Sequence, residues 1–279
     1  MTHIINNKYI LLDKIGEGSF GYIHKGENIR TKEHVAIKIE PIMAGTKLLK
    51  NESTIYQYLG NNLGIPTVKW FGKDTENYYM VLNLLGKSLQ DVKNEKGKIC
   101  LKTTLQIGIQ ILFLLKFIHE KDLIHRDIKP ENFLLGVNDK SKQIYIIDFG
   151  FCKTYRVNGQ HIRDGKTSSL IGSYTYASIN SHKKMELSRR DDLESLGYML
   201  MYFYMGRLDW QHINDASNNN DKNIVYLKEN ILKNRLIPEI FLDYINYVKG
   251  LNFEETPDYL TLINWFKREI ISLEEENKK

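Results

Sequence analysis

Apolar and polar positions alternate in three short runs across residues 9–39, and a period of two predicts three β-strands there. Ile10, Leu11, Leu12 and Ile15 lead into a glycine-rich turn, and Tyr22-Ile23-His24 resumes the alternation beyond it, which reads as a strand–loop–strand hairpin. Residues 48–59 read as a helix, and 68–82 as two further strands joined by the turn residues Asp74-Thr75-Glu76-Asn77. Past Asn83-Leu84-Leu85-Gly86 the chain turns helical: residues 101–119 are apolar almost all round, as a buried helix requires, and 193–205 repeat that character. The longest apolar run, 107–118, is broken by Gly108, Gln110 and Lys116 and falls short of a bilayer-spanning length, so no membrane segment is expected. The polar, low-complexity run 214–223 predicts a surface loop. Strands first and helices afterwards predict an α+β fold.

Composition narrows this further only in part. A chain of 279 residues with 42% hydrophobic side chains has room for one domain with an ample core. Its net charge of +5 hints at acidic partners, but the cations are spread along the chain, so nucleic acid is not expected as a partner. Two cysteines, Cys100 and Cys152, give neither a disulfide framework nor a metal-ligand cluster, which fits a reducing compartment. Met1-Thr2-His3-Ile4-Ile5 lacks the basic stretch and apolar core of a signal peptide, and an intracellular protein is expected.

The chemistry concentrates in His125-Arg126-Asp127-Ile128-Lys129-Pro130-Glu131-Asn132, followed by Ile147-Asp148-Phe149-Gly150. Moving a phosphoryl group from Mg-ATP to a hydroxyl needs an Asp at the acceptor, a Lys near the transferred phosphate, and an Asn and a second Asp on the metal ions. Asp127, Lys129, Asn132 and Asp148 fit those roles in that order. Upstream, Gly16, Gly18 and Gly21 punctuate Gly16-Glu17-Gly18-Ser19-Phe20-Gly21, where absent side chains let backbone N–H groups approach phosphates. Strand-like residues on both sides disfavour a dinucleotide fold, which would need a helix after the loop. Val35-Ala36-Ile37-Lys38 ends a β-type run on a cation, and Glu52 in the helical stretch is its expected partner, aiming the ammonium at the α- and β-phosphates. Glu40, the nearest rival, sits on the same strand as Lys38 and is poorly placed to reach back.

These four motifs, in this order, resemble the eukaryotic protein kinase family over nearly the whole chain. Tyr176-Ala177-Ser178-Ile179-Asn180-Ser181-His182, the run 188–198 beginning Ser188-Arg189-Arg190-Asp191-Asp192, Leu63-Gly64-Ile65-Pro66-Thr67, Leu84-Leu85-Gly86-Lys87-Ser88-Leu89 and Asn132-Phe133-Leu134-Leu135-Gly136 resemble the casein kinase 1 branch. The resemblance implies a single bilobal kinase domain over 1–279: a small antiparallel-sheet lobe at 1–82, a hinge at 83–86 and a mainly helical lobe at 87–279. It implies a serine/threonine kinase using ATP and Mg on acidic protein substrates. Such a protein is expected to be a cytoplasmic monomer, with the nucleus as a second compartment and no membrane partner.

The same resemblance places adenine between the lobes, with Ile15, Ile23 and Ala36 above, Leu134 below and Ile147 beside it. Leu82 would guard the deeper pocket, and the backbones of Asn83 and Leu85 would bond its polar edge. Asp192 would hold the His125-Arg126-Asp127 backbone, leaving Asp191 as an outer-face partner of Arg189 or Arg190. Arg126, Lys129, Lys153, Arg189 and Arg190 are candidates for a basic groove. Arg126 grips an activating phosphate in other kinases; here constitutive activity is expected, with no long regulatory tail. Thr175 stands where the branch usually has an Arg that helps bind a phosphate already on the substrate, so the preference for primed substrates should weaken, with Lys228 or Lys233 as candidate replacements. A pseudokinase scaffold, a vaccinia-related or tau-tubulin kinase and a small-molecule phosphotransferase are the alternatives. Retention of Lys38, Asp127 and Asp148 disfavours the first.

Overall fold

The computed structural model describes residues 3–18, 21–44, 48–213, 218–276 and 278. Strands β1 (Ile4–Ile5), β2 (Tyr9–Gly18), β3 (Gly21–Asn28) and β4 (His34–Pro41) are followed by helix α1 (Leu48–Leu59) and strands β5 (Val68–Lys73) and β6 (Asn77–Asn83). Next come α2 (Leu89–Lys96), α3 (Leu101–Glu120), β7 (Leu123–Ile124), β8 (Phe133–Leu135), β9 (Ile144–Ile146), β10 (Lys153–Thr154), β11 (Arg156–Val157) and β12 (Gln160–His161). The chain closes with α4 (Ile179–His182), α5 (Arg189–Met205), α6 (Asn218–Glu229), α7 (Glu239–Gly250) and α8 (Tyr259–Glu276). The α+β class stands. Two compact units emerge, Met1–Lys87 with Leu134–Gly150, and Ser88–Phe133 with Phe151–Lys279.

In the first unit six antiparallel strands run in the order β1-β2-β3-β4-β6-β5. Alternation decides which face each side chain meets. Val35, Ile37 and Ile39 of β4 point one way, into a core with Ile5, Tyr9, Tyr79 and Val81. Ala36 and Lys38 therefore face the other side, where they remain half-buried. The hairpin expected at the glycine-rich turn is present, with Gly18 opposite Gly21. A Cβ on Gly21 would lie 1.9 Å from the Ile39 carbonyl oxygen, so this close strand crossing tolerates only glycine. Ser19 and Phe20 at its tip lie outside the described residues. Helix α1 spans the stretch read as helical, and Glu40 accepts the Leu48 and Leu49 N–H groups at 3.2 and 2.8 Å. That bond satisfies orphan donors at the helix start and occupies the rival to Glu52.

The second unit is mainly helical. Ser88 and Asp91 exchange backbone-to-side-chain bonds of 3.0 and 2.9 Å that cap α2. Helix α3 runs 20 residues and is long and apolar enough to cross a membrane by length and composition, contrary to the shorter stretch expected from its apolar run. Here it is the core helix of its unit: Leu105, Ile111, Leu112, Leu115 and Ile118 are buried, and α5 and α8 pack on it. Gly108, Gln110 and Lys116 interrupt the apolar run without ending the helix, because an α-helix bonds along its own backbone whatever those side chains are.

Part of the loop expected at 214–223 is helical: α6 begins at Asn218, while 214–217 lie outside the described residues. Among its described side chains only Ile224 and Lys228 are buried, four residues apart on one face. Lys222 and Asn223 are exposed and Asn220 and Asp221 half-buried, a polar helix surface that in composition resembles a loop.

Candidate active site

Within the first unit, the Lys38 ammonium lies 2.6 Å from Glu52 Oε2 and 3.1 Å from Asp148 Oδ1. Burial alone would lower the lysine's pKa, but the two carboxylates reverse that and raise it above its ordinary value, so the side chain is a fixed cation. Asp148 takes a positive φ of 65°, a sparsely populated backbone state for a residue other than glycine. Its N–H donates to the Tyr56 hydroxyl at 3.3 Å, and the Phe149 ring meets the Tyr56 ring edge-on at 4.9 Å. Tyr56 escaped sequence reasoning, although its place four residues after Glu52 puts it on the same face of α1.

The residues expected around the nucleotide all belong to this unit: Ile15, Gly16, Gly18, Gly21, Ile23, Ala36, Leu82, Asn83, Leu85, Leu134 and Ile147. Sheet register sets Ile23 opposite Lys38 and Ala36 opposite Leu82. Ile15 is exposed, and Ile23, Ala36, Leu134 and Ile147 are half-buried, which leaves apolar surface for a flat ring to cover. Leu84 and Leu85 make no backbone hydrogen bond among the described residues, so their amide groups are available to an incoming partner. Asn83 instead uses its side chain internally, accepting the Thr67 N–H at 2.8 Å. A Cβ on Gly16 would meet only ordinary contacts at 3.6 Å, and its φ is not positive. Among the described residues nothing demands glycine there.

Within the second unit, Asp127 is buried and held by three donors. Its Oδ2 is 2.6 Å from Lys129 Nζ and 3.2 Å from Asn132 Nδ2, and its Oδ1 accepts the Ser173 N–H at 2.8 Å. Asn132 also donates to the Asp127 carbonyl at 2.8 Å, which turns its amide oxygen away from these bonds. Ser173 is another residue that motif reading missed. It is brought in by Gly172, whose φ is 92° and whose missing Cβ would sit 2.5 Å from the Arg126 carbonyl.

Asp192 at the start of α5 accepts the His125 and Arg126 N–H groups at 2.7 and 2.8 Å, and His119 Nε2 lies 2.8 Å from the same carboxylate. Burial would raise its pKa, but these bonds hold it below the usual carboxylate value. Arg126, at φ 69°, donates Nε–H to the Phe151 carbonyl at 2.6 Å.

Several expectations need correction. Asp191 does not face outward, although its Oδ2 lies 4.0 Å from Arg190 Nε. It is buried and accepts Ser178 Oγ–H at 2.7 Å, Asn180 Nδ2–H at 2.9 Å and Ser188 N–H at 2.8 Å, with its pKa pushed by burial to about 6. Arg189 is buried against Tyr155, Thr256 and the Glu254 carbonyl, and Arg190 bonds the Leu251 carbonyl at 2.9 Å, so neither lines a basic groove. Lys153 is paired with Glu186 at 2.9 Å. Lys228 is fully buried and offers no surface charge, and Lys233 is bonded to Asn230 within its own turn. Burial pushes the Cys152 thiol up to about 12, which keeps it protonated near neutral pH.

Hard cations take oxygen donors, and each unit carries one of the expected kind, the Asp148 carboxylate in the first and, separately, the Asn132 amide oxygen in the second. No group of three or more His, Cys, Asp or Glu residues among the described ones forms a separate metal site. Few protein ligands suit Mg²⁺, which keeps waters and phosphate oxygens for the rest. In comparison with protein families, residues 9–255 match the protein kinase domain.

Proposed function

The chain belongs to the protein kinase family, a phosphotransferase family that uses ATP with Mg²⁺, and on that premise we propose that it is a serine/threonine kinase of casein kinase 1 type, acting on acidic proteins. The observation that carries this reading is the Asp127–Lys129 pair at 2.6 Å, steadied by Asn132 and the Ser173 amide. Asp127 orients the acceptor hydroxyl and takes its proton, while Lys129 stabilises charge on the transferred phosphoryl group. Lys38, fixed by Glu52, binds the α- and β-phosphates. Asp148 and Asn132 would hold Mg²⁺, which neutralises phosphate charge. Ile15, Ile23, Ala36, Leu82, Leu134 and Ile147 would clasp the adenine, with the hinge backbone at Asn83 and Leu85 on its edge.

Two finer features of this reading have support. The charge of Glu186, already paired with Lys153, also acts on Arg126, an internal anion in the neighbourhood where other kinases place an activating phosphate. That supports constitutive activity. Beside Thr175, the hydroxyl of Tyr174 donates to Asp221 at 2.6 Å, so a carboxylate rather than a guanidinium stands near the expected phosphate position. That supports a weak preference for primed substrates. A cytoplasmic monomer, also present in the nucleus, completes the proposal.

Matched acidic peptides carrying Ser, Thr or Tyr as the sole acceptor test it. With Mg-ATP, the Ser and Thr peptides should be phosphorylated and the Tyr peptide at least about a hundredfold less, since its ring moves the hydroxyl several ångströms from Asp127. A preference for Tyr, or indifference to acidic context, would overturn it.

A further inference from the structure

Lys228 is the largest charged side chain fully buried in the second unit, and nothing in the phosphoryl-transfer chemistry calls for it. Its ammonium donates to the Ala177 carbonyl at 2.6 Å and lies 3.1 Å from His182 Nε2. Tyr198 and Trp210 rings flank it at 4.7 and 5.3 Å from their centroids, and Trp210 Nε1–H donates to the Thr175 carbonyl at 2.7 Å. On the far side of the imidazole, His182 Nδ1 is 3.1 Å from Asp221 Oδ1, the oxygen that also accepts the Tyr174 hydroxyl. Burial and the neighbouring lysine push His182 down to about 4, so near neutral pH the ring is uncharged. Only one tautomer then serves both contacts: Nδ1–H donates to Asp221, and Nε2 accepts from Lys228.

An unbroken chain thus runs from a carboxylate through a neutral imidazole to an ammonium, and its groups bond Tyr174, Ala177 and His182 of one short segment. Resting on the reading above, in which that segment receives the protein substrate, we propose that the Lys228 ammonium is a positioning group for the substrate: through the Asp221–His182–Lys228 chain it holds residues 174–182 in the form that accepts the peptide. The charged amine acts on the segment's backbone and never touches the reacting atoms.

The consequence is a pH dependence confined to peptide binding. Around Lys228 stand Asp221 on its own helix, His182 on α4, Glu194 and Tyr198 on α5, and Lys249 on α7. Burial is the largest influence and, with Lys249, outweighs the Glu194 carboxylate, bringing the lysine down to about 7. As pH rises through that value the ammonium becomes an amine, a donor roughly half as strong, and the peptide KM should rise. Fold stability moves the opposite way. The unfolded chain keeps this proton up to the ordinary lysine value, so stability contributed by this group increases over the same range. A purely structural lysine would show the second trend without the first.

The test measures peptide KM, ATP KM and kcat between about pH 6 and about pH 8.5, on an acetylated acidic peptide without His or Cys. Peptide KM should rise about fivefold while ATP KM and kcat hold nearly steady. Lys228→Met should carry the raised KM at every pH, and Asp221→Asn should move the midpoint to lower pH, because the relay then favours the ammonium less. A flat peptide KM in the unmodified enzyme, or a Lys228→Met enzyme with the original KM and pH profile, would overturn the proposal. Should Lys228→Met fail to fold, the unmodified profile and the Asp221→Asn midpoint decide, and an unmoved midpoint counts against it. Absence of any phosphorylation would sink the kinase reading and this proposal with it, whereas activity with a flat KM would sink this proposal alone.

Discussion

Asp127 keeps a defined orientation because donors from three positions, Lys129, Asn132 and the Ser173 amide, converge on its carboxylate. Asp127→Asn retains the shape and loses the base, so turnover should fall by about 10²–10⁴ while the ATP dissociation constant barely moves; steady-state phosphorylation and calorimetric titration report the two separately. At Lys38 the larger effect is on stability. Lys38→Met strands the buried Glu52 carboxylate, which should cost about 3–5 kcal/mol in chemical denaturation, and adding Glu52→Leu should recover much of that loss. Thr175→Arg should raise the advantage of a peptide with phosphoserine three residues before its target by about tenfold in kcat/KM, the worth of one well-formed charge-assisted contact. A strong primed preference in the unmodified enzyme would contradict the role assigned to Thr175 and Asp221.

At the scale of elements, the N-terminus of α5 organises the candidate site residues of the second unit. Asp191 gathers Ser178, Asn180 and Ser188, and Asp192 gathers the backbone of His125 and Arg126, so one helix start ties the substrate segment and the catalytic loop to the core. Asp192→Asn keeps the size but replaces one accepting oxygen with a donor that faces an N–H. A loss of about 1.5–3 kcal/mol and a fall in turnover are expected, the first read by urea denaturation and the second with Asp127 untouched. Turnover equal to the unmodified enzyme would show that the loop keeps its shape without α5. The elements themselves were largely legible: strands in 9–39 and 68–82 and helix α1 follow local periodicity, because which face of a short element is buried shows directly in its alternation. The start of α6 was not legible, since a solvated helix turn and a loop share one polar composition.

For the whole molecule, nucleotide and metal should act as ligands of the native state alone. Mg-ATP at about a hundred times its dissociation constant adds about 2.7 kcal/mol, a rise of roughly 5 °C in Tm, and chelating the metal should remove most of it. Treatment with phosphatase should leave turnover within about twofold if Glu186 answers Arg126 as proposed; a tenfold fall would point to an activating phosphate instead. The α+β order, the family, and the Lys38–Glu52 contact across 14 positions could be read from the sequence alone, because motif spacing and hydrophobic period are local properties of the chain. Only the tertiary structure decided the fate of the charges. Asp191, Arg189 and Lys228 all look like surface residues in sequence, yet each is buried against partners between 11 and 67 positions away. Whether a charge can leave water depends on the donors and acceptors that meet it after folding, and no local pattern records those meetings.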